Sequence, residues 1–354
     1  MKVVIAPDSF KGTATATDAA AALAAGWRSV RPGDELLLCP MADGGEGTLA
    51  AVGAGGELIE VPNCTAPDGR PVTGQYALLP DGTAVVELAT ASGLPLLDRP
   101  APLTATTRGT GQTVAAALDR GARRLLIGLG GSASTDGGAG LLAALGLRLL
   151  DADGRRLPDG GAALTAAVRV DRSELRPPPA EVLLLTDVTN PLLGPDGAAA
   201  VYGPQKGASP ADIAHLDRGL ARLAGLLGGD PGRPGAGAAG GTAYGLHAAW
   251  GARLTPGAPA VADLLGLPAA VADADLVITG EGRFDPTSLR GKAVGEVLHR
   301  AAHTRTVVVA GAATLPALTL TALAGSTAAA LADPLRWLRA AGAALAERDR
   351  PGPT

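Results

Sequence analysis

Several residue types are scarce in this chain of 354 residues. Aromatic side chains make up only 2 %, so Ala, Leu and Val must build the hydrophobic core. The two cysteines, Cys39 and Cys64, are too few for a disulfide framework or a metal-binding spacing, which indicates a protein of the reducing cytosol. The uncharged run 306–332 contains proline, glycine and several threonines, so we expect no membrane span. A net charge of −4 argues against nucleic-acid binding.

Lysine is also scarce, because only four of the 30 basic residues are lysines. Three of the four, Lys11, Lys206 and Lys292, lie beside glycines in segments that look like loops. An ammonium group presents a compact point charge to phosphate or carboxylate oxygens, which the planar arginine side chain does less well. The three lysines are therefore candidates for anion binding, with chance placement in loops as the alternative.

Both ends of the chain alternate short apolar runs with alanine-rich helical patterns. The runs predicted as strands are Val3–Ala6, Glu35–Cys39, Leu276–Thr279, Thr306–Ala310 and, more weakly, Thr327–Leu331. Alternation of strands and helices is typical of a parallel sheet with helices on both faces. The sequence therefore predicts an α/β fold with a five-stranded, flavodoxin-like parallel sheet.

The predicted domain organisation is discontinuous. Residues 1–60 and 267–354 would form the flavodoxin-like domain, and residues 61–266 an inserted second α/β domain that carries the glycine-rich loops. Within the insertion, Arg124–Leu129 and Val182–Leu185 are predicted strands.

The loops after the first and third strands of the flavodoxin-like sheet carry charged and hydroxyl side chains. Ligands bind such sheets at the carboxyl ends of strands, where the strand order reverses. The candidates in these loops are Asp8, Ser9, Lys11, Glu281, Arg283 and Asp285.

The segment Gly130–Gly140 follows a predicted strand and is the richest in glycine and hydroxyl groups. Its glycines would let backbone N–H groups approach an anion, and Ser132, Ser134 and Thr135 add donors. Asp136 is a candidate Mg²⁺ ligand or proton acceptor. A tight strand-to-helix turn with Asp136 as the N-cap is the structural alternative.

Several nucleotide-binding signatures are missing. No lysine is followed by Ser or Thr, so a P-loop is absent, and no segment completes the G-x-G-x-x-G pattern of dinucleotide-binding proteins. Carboxylates and cations nevertheless recur in the loops, and phosphoryl transfer depends on such groups. They are Asp8, Asp43, Glu46, Asp136, Asp187, Glu281 and Asp285, beside Lys11, Lys206, Arg283 and Lys292.

On these motifs the chain resembles the bacterial glycerate kinases that form 2-phosphoglycerate. The matching stretches are Ile5–Gly12, Ala42–Thr48, Thr107–Gly111, Gly128–Gly140, Asp187–Gly194, Gly203–Ala208, Gly235–Gly241, Ile278–Asp285 and Gly291-Lys292. The resemblance implies ATP- and Mg²⁺-dependent phosphorylation of D-glycerate in the cytoplasm, by in-line transfer in a cleft between a flavodoxin-like domain and an inserted α/β domain. It implies a small-molecule substrate, without nucleic acid or membrane, and leaves the oligomeric state open.

We hypothesise a role for each candidate. The catalytic candidates are Asp187, Asp136, Lys206 and Lys11. The substrate-binding candidates are Asp8, Ser9, Arg283, Lys292, Glu281 and Asp285. The nucleotide-binding candidates are Gly130, Gly131, Ser132, Thr135, Gly137, Gly138 and Asn190. Asp136, Asp187 and Asp43 are the candidate metal ligands, and which aspartate takes the hydroxyl proton stays open.

Three alternatives remain. A kinase for another small hydroxy acid would need only one or two different side chains in the acceptor pocket. A non-catalytic nucleotide- or anion-binding module is less favoured, because an anion binder has no use for so many carboxylates. An NAD-dependent oxidoreductase is the weakest, because its fingerprint is absent.

Overall fold

A computed structural model describes residues 1–10, 12–53, 55–289 and 291–349. The chain divides into two compact units. The first unit consists of Met1–Asp43 and Pro256–Thr354, and the second of Gly44–Thr255.

The described residues form thirteen strands. In chain order they are β1 Lys2–Pro7, β2 Glu35–Leu38, β3 Glu57–Thr65, β4 Pro71–Leu78, β5 Thr83–Glu87, β6 Arg124–Gly128, β7 Arg148–Leu150, β8 Arg169–Asp171, β9 Glu181–Leu185, β10 Arg253–Thr255, β11 Leu276–Phe284, β12 Thr306–Ala313 and β13 Leu318–Thr319.

The same residues form fourteen α-helices. They are α1 Ala16–Val30, α2 Thr48–Gly53, α3 Ala89–Ser92, α4 Arg108–Asp119, α5 Ala139–Ala144, α6 Ala198–Tyr202, α7 Pro210–Leu227, α8 Thr242–Trp250, α9 Gly257–Leu264, α10 Leu267–Ala272, α11 Ala293–Arg300, α12 Leu320–Ala324, α13 Thr327–Ala332 and α14 Pro334–Arg348. Among these helices, none has both the length and the apolar character needed to cross a bilayer.

The first unit is built on a five-stranded sheet of order β13-β12-β11-β1-β2, in which every neighbouring pair is parallel. The apolar residues of β1 from Val3 to Ala6 are fully buried, as expected for a strand covered on both faces. This is the strand order of flavodoxin, so the predicted fold class is confirmed. The strand order reverses between β1 and β11. These two strands pair directly, with Pro7 of β1 opposite Gly280 of β11.

Helices α1 and α14 of the first unit pack through two glycines. A Cβ atom on Gly26 would lie 1.9 Å from the carbonyl oxygen of Arg339, and one on Gly342 would lie 2.1 Å from that of Leu23. Because any side chain at either position would overlap backbone, glycine alone permits this close approach. The contact helps to bury Trp27 in the core of the unit.

One predicted strand of the first unit is wrong. Residues 327–331 lie in helix α13, and the fifth strand is the two-residue β13 that precedes α12. Alanine is the strongest helix former, and the Ser326 side chain caps the helix by accepting a hydrogen bond from the Ala329 N–H. The helix propensity of alanine and the Ser326 cap therefore favour a helix at residues 327–331, although the short apolar run resembles a strand.

The second unit contains a six-stranded sheet of order β10-β9-β6-β5-β4-β3. Strands β10, β9, β6 and β5 are parallel, whereas β4 and β3 are antiparallel. The predicted strands at 124–129 and 182–185 correspond to β6 and β9, which are neighbours in the middle of this sheet. The carboxyl ends of β5, β6, β9 and β10 therefore lie along one edge.

The second unit begins and ends earlier in the chain than the predicted insertion at 61–266. Strand β3 pairs with β4, so residues 57–60 belong to the second sheet. Helix α9 starts after Pro256 and belongs to the first unit.

Candidate active site

A cavity of about 370 Å³ lies at the carboxyl ends of β1 and β11, where the strand order of the first sheet reverses. We call it the first-unit cavity. The predicted residues that line it are Asp8, Ser9, Asp43, Glu281, Arg283, Asp285 and Lys292. All six candidate substrate-binding residues are thus brought to one place, together with one candidate metal ligand. The predicted Lys11 lies outside the described residues.

Asp8 and Ser9 are held by the end of β1. The Asp8 N–H donates to the carbonyl oxygen of Gly280 at 2.7 Å, which ties this loop to β11. The Asp8 carboxylate accepts a hydrogen bond from the Ser9 N–H at 2.6 Å. These bonds fix the loop at the switch point of the sheet.

Asp285 organises the turn that follows β11. Its carboxylate accepts hydrogen bonds from the Thr287 hydroxyl at 2.6 Å and the Thr287 N–H at 2.8 Å. These bonds, with the nearby charges of Arg283 and Lys292, hold the pKa of Asp285 below its usual value. The Arg283 guanidinium lies 3.5 Å from this carboxylate, yet 75 % of the Arg283 side chain is exposed, so an anionic ligand can reach it.

The cavity also has apolar lining residues that were not predicted, and we call this group the apolar side of the cavity. It is formed by Phe10, Leu320, Ala330, Leu331 and Pro334, four of which follow β12. The segment after Gly311 carried no motif, and its alanine-rich pattern gave no sign that it borders a ligand site.

The glycine-rich loop 130–140 lies in the second unit, where much of it is covered by protein. A Cβ atom on Gly137 would lie 2.4 Å from Leu223, and one on Gly138 would lie 3.2 Å from the Cα of Thr242. The predicted nucleotide-binding side chains of Ser132 and Thr135 are buried, whereas Gly131 is exposed and Gly130 half-buried. The loop's later glycines serve close packing within the unit.

Asp136 belongs to this loop and has no exposed surface. Its carboxylate accepts five hydrogen bonds from neighbouring groups of the same unit. The donors are the Thr107 N–H and hydroxyl at 2.9 and 2.8 Å, the Ser134 hydroxyl at 3.2 Å, and the N–H groups of Gly138 and Gly140 at 3.1 and 3.2 Å. The carboxylate thus ties the loop to the start of α4.

Lys206 is also buried, with 2 % of its surface exposed, in a short 3₁₀ turn at Pro204–Lys206. Its ammonium group donates to the carbonyl oxygen of Ser134 at 2.5 Å. Burial lowers the pKa of Lys206 to about 8, although the negative charge of Asp136 opposes this shift. Lys206 and Asp136 thus both form hydrogen bonds with groups of the glycine-rich loop.

Asp187 and Asn190 follow β9 and differ in their surroundings. Asp187 is exposed at the carboxyl edge of the second sheet. The Asn190 side chain donates to the Asp196 carbonyl oxygen at 2.8 Å and accepts from the Tyr202 hydroxyl at 2.7 Å. Asp187 is therefore the more exposed of the two, since Asn190 is half-buried.

Glu87 is a buried carboxylate at the carboxyl end of β5 that the sequence analysis missed. It accepts hydrogen bonds from the Gly47 N–H at 3.1 Å and the Leu49 N–H at 3.0 Å, and so holds the start of α2. Burial raises the pKa of Glu87. The sequence feature that could have identified Glu87 is its position directly after the apolar residues 84–86.

The candidate metal ligands are not equally suitable. Among the described residues, no group of three or more His, Cys, Asp or Glu side chains is arranged to hold a metal ion. Mg²⁺ often needs only one or two carboxylates, because phosphate oxygens and water complete its shell. Asp43 and Glu281 both line the first-unit cavity and so supply that number of carboxylates, whereas Asp136 has no exposed surface and does not line it.

An open parallel sheet with a cavity of carboxylates and cations at its switch point is typical of α/β proteins that bind a charged small molecule. The family model of the glycerate kinases matches residues 3–346. The glycerate kinase of Bacillus subtilis (strain 168) is 45 % identical over 304 residues, covering 82 % of this chain and 79 % of the relative. The glycerate 2-kinase of Escherichia coli (strain K12) is 43 % identical over 303 residues, covering 82 % of this chain and 80 % of the relative.

A solved structure agrees with these relatives. The crystal structure of a Salmonella typhimurium LT2 protein assigned as glycerate kinase 2 superposes with a TM-score of 0.86 at 39 % identity, and 98 % of each chain is covered. The chain belongs to the glycerate kinase family, and it is a kinase.

Proposed function

We propose that this protein transfers the γ-phosphoryl group of ATP to the C2 hydroxyl of D-glycerate in the cytoplasm, with Mg²⁺ as cofactor. One observation carries the proposal: the six candidate substrate-binding residues all line one cavity, in a chain of the glycerate kinase family. A relative from Escherichia coli is named glycerate 2-kinase, which favours C2 over C3.

The charged groups of the first-unit cavity would form the reaction centre. Arg283 and Lys292 would bind the glycerate carboxylate and the transferring phosphoryl group, because phosphoryl transfer depends on positioning and on neutralising phosphate oxygens. Asp8 and Ser9 would orient the glycerate hydroxyls through hydrogen bonds. The predicted Lys11 would add a further cation.

Mg²⁺ would be held by Asp43 and Glu281, and would neutralise charge on the phosphate oxygens when bound. Asp136 and Lys206 receive positioning roles, since both are buried and bonded to the glycine-rich loop. Of the two candidate proton acceptors we propose Asp187, because this residue is exposed whereas Asp136 has no exposed surface.

The product of the reaction tests the proposal. The purified protein is incubated with ATP, Mg²⁺ and D-glycerate, and the products are examined by proton-coupled phosphorus NMR. A phosphate ester at C2 couples to one proton and gives a doublet, whereas an ester at C3 couples to two and gives a triplet. We expect ADP and the doublet, and neither when EDTA removes Mg²⁺.

The alternative functions give different results in the same assay. A triplet would place the phosphate on C3. Faster ADP release with another hydroxy acid would identify a different acceptor. ATP binding without ADP release on any hydroxy acid would indicate a non-catalytic nucleotide-binding module.

A further inference from the structure

We propose that the apolar side of the first-unit cavity binds the nucleoside of the phosphoryl donor. The inference rests on the proposed function, since it assigns one part of the ATP molecule to one wall of the cavity. It differs from the sequence-based prediction, which placed the nucleotide at the glycine-rich loop of the second unit.

The size and chemistry of the cavity exceed what glycerate requires. Pockets for drug-sized ligands measure about 300–1,000 Å³, and a water molecule takes up about 30 Å³ of liquid. The cavity measures about 370 Å³. Glycerate is a three-carbon acid in which every carbon carries oxygen, so it fills only part of this volume and offers no apolar face. The apolar side therefore suits a second, larger ligand group.

The apolar side is preformed by the core of the first unit. Leu320 of α12 and Ala330 of α13 are buried members of the hydrophobic core that also contains β1. Leu331 lines the same cavity, and 58 % of its surface is exposed. A flat heterocycle placed against these side chains would cover apolar surface that is now in contact with water, which stabilises binding.

The same cavity offers the polar contacts that a nucleotide needs. Thr321 and Thr327 line it from the apolar side, and Thr327 is exposed at the start of α13. The Thr321 hydroxyl donates to the Gly311 carbonyl oxygen at 2.8 Å, so it can still accept a hydrogen bond from a ribose hydroxyl. The Thr327 hydroxyl suits the ribose or a ring nitrogen of a base. Arg283 and Lys292 line the same cavity, where a polyphosphate chain would find cations. The cavity also lies at the switch point, where flavodoxin-like sheets bind nucleotides.

The glycine-rich loop offers less room for a nucleoside. Leu223 and Thr242 approach Gly137 and Gly138 within van der Waals distance of a Cβ atom, so protein already fills the space beside these glycines. The hydroxyl-bearing Ser132 and Thr135 are buried. Gly130 and Gly131 retain exposed backbone, which can serve phosphate oxygens without a pocket for a base.

Photolabelling of the full chain tests the location directly. The protein is irradiated with 2-azido-ATP, with and without excess ATP, and labelled peptides are identified by mass spectrometry. We expect ATP-protected labelling within residues 311–336. Protected labelling confined to residues 44–255 would overturn the inference.

A kinetic comparison tests the contribution of the apolar wall. Leu331→Ala should raise the KM for ATP about threefold to tenfold, because the base loses an apolar contact, with kcat and the KM for D-glycerate within about twofold. The matched control is Leu335→Ala, which alters an exposed leucine, 38 % accessible, that does not line the cavity. An unchanged KM for ATP, or an equal rise in the KM for D-glycerate, would contradict the inference.

The two tests separate this inference from the proposed function. Absence of phosphoryl transfer to D-glycerate would refute the proposed function, while photolabelling would still locate the nucleoside. Normal phosphorylation of D-glycerate with labelling only in the second unit would refute the inference alone.

Discussion

At the scale of single residues, Lys206 and Asp136 show how burial changes the role of a charged side chain. Both carry charges suited to phosphate chemistry, yet their contacts are with the protein's own loop. An enclosed ammonium group cannot reach a substrate without a rearrangement of its surroundings. Burial of a charged group also costs free energy unless hydrogen bonds compensate for lost hydration.

The buried ammonium group of Lys206 makes stability depend on pH. Its pKa is about 8 in the folded protein and 10.5 in a solvated lysine, so between these values the folded state releases the proton while the unfolded state keeps it. The free energy of unfolding therefore rises with pH across this window, by at most about 1.4 kcal/mol for each unit of pKa shift.

Comparison of wild type with Lys206→Met by urea unfolding at pH 7 and pH 10 isolates this effect. We expect the free energy of unfolding of wild type, relative to that of Lys206→Met, to be higher at pH 10 than at pH 7. If the difference in the free energy of unfolding between the two proteins is the same at both pH values, the ammonium group is hydrated in the folded protein. Lys206→Arg should still lower turnover, as the sequence predicts, but through distortion of the loop by a larger buried side chain.

The exposed Asp187 carries the other residue-scale prediction. If it accepts the glycerate hydroxyl proton, Asp187→Asn should lower kcat at least about a hundredfold, since general-base catalysis contributes about that much or more. Steady-state kinetics at several Mg²⁺ concentrations measure the effect. Asp119→Asn is the matched control, because Asp119 is an exposed carboxylate of the same unit at the end of α4, before the amino end of β6. A kcat within threefold of wild type, with the same Mg²⁺ dependence, would rule out the role.

At the scale of elements, the long buried strands were predictable and the short ones were not. Strands β1 and β6 are continuous apolar runs bounded by polar residues. Such runs can be recognised directly in the sequence. Strand β13 has only two residues and is formed by its pairing with β12, so no local pattern marks it. Helix α13 was mistaken for a strand, because a short apolar run does not distinguish the two.

The contact between α1 and α14 gives an element-scale prediction. Gly342→Ala should lower the free energy of unfolding by about 1–3 kcal/mol or more, because its Cβ would overlap the Leu23 carbonyl oxygen. Gly225→Ala in α7 is the control, since no atom lies within 4 Å of its Cβ position. There a helical alanine should be neutral or stabilise by up to about 1 kcal/mol. Thermal unfolding of both variants measures the contrast, and equal stability would contradict the close packing.

At the scale of the whole molecule, the two units each contain one cysteine. Cys39 lies in the first unit and Cys64 in the second, and both thiols are free and buried. Burial also raises the pKa of the Cys39 thiol to about 11, which keeps it protonated near neutral pH. The thiols can therefore report separately on the unfolding of each unit.

We expect neither thiol to react quickly with Ellman's reagent in native buffer at pH 8, and both to react in concentrated urea. Labelling across a urea series, with Cys64→Ala to isolate the Cys39 signal, gives a midpoint for each unit. Rapid labelling of the native protein would contradict the burial of the thiols. Different midpoints would show that the two units unfold independently.

The sequence by itself determined the flavodoxin-like sheet, apart from its fifth strand, and the loops at its switch point. Both follow from local apolar runs and from a topological rule, so Asp8 and Asp285 could be assigned to one site before their contacts were known. The tertiary structure decided which candidates a ligand can reach. Asp136 accepts a hydrogen bond from Thr107, 29 positions away, and Lys206 donates one to Ser134, 72 positions away. Local patterns do not contain such pairings, and the apolar wall after Gly311 likewise arises from packing alone.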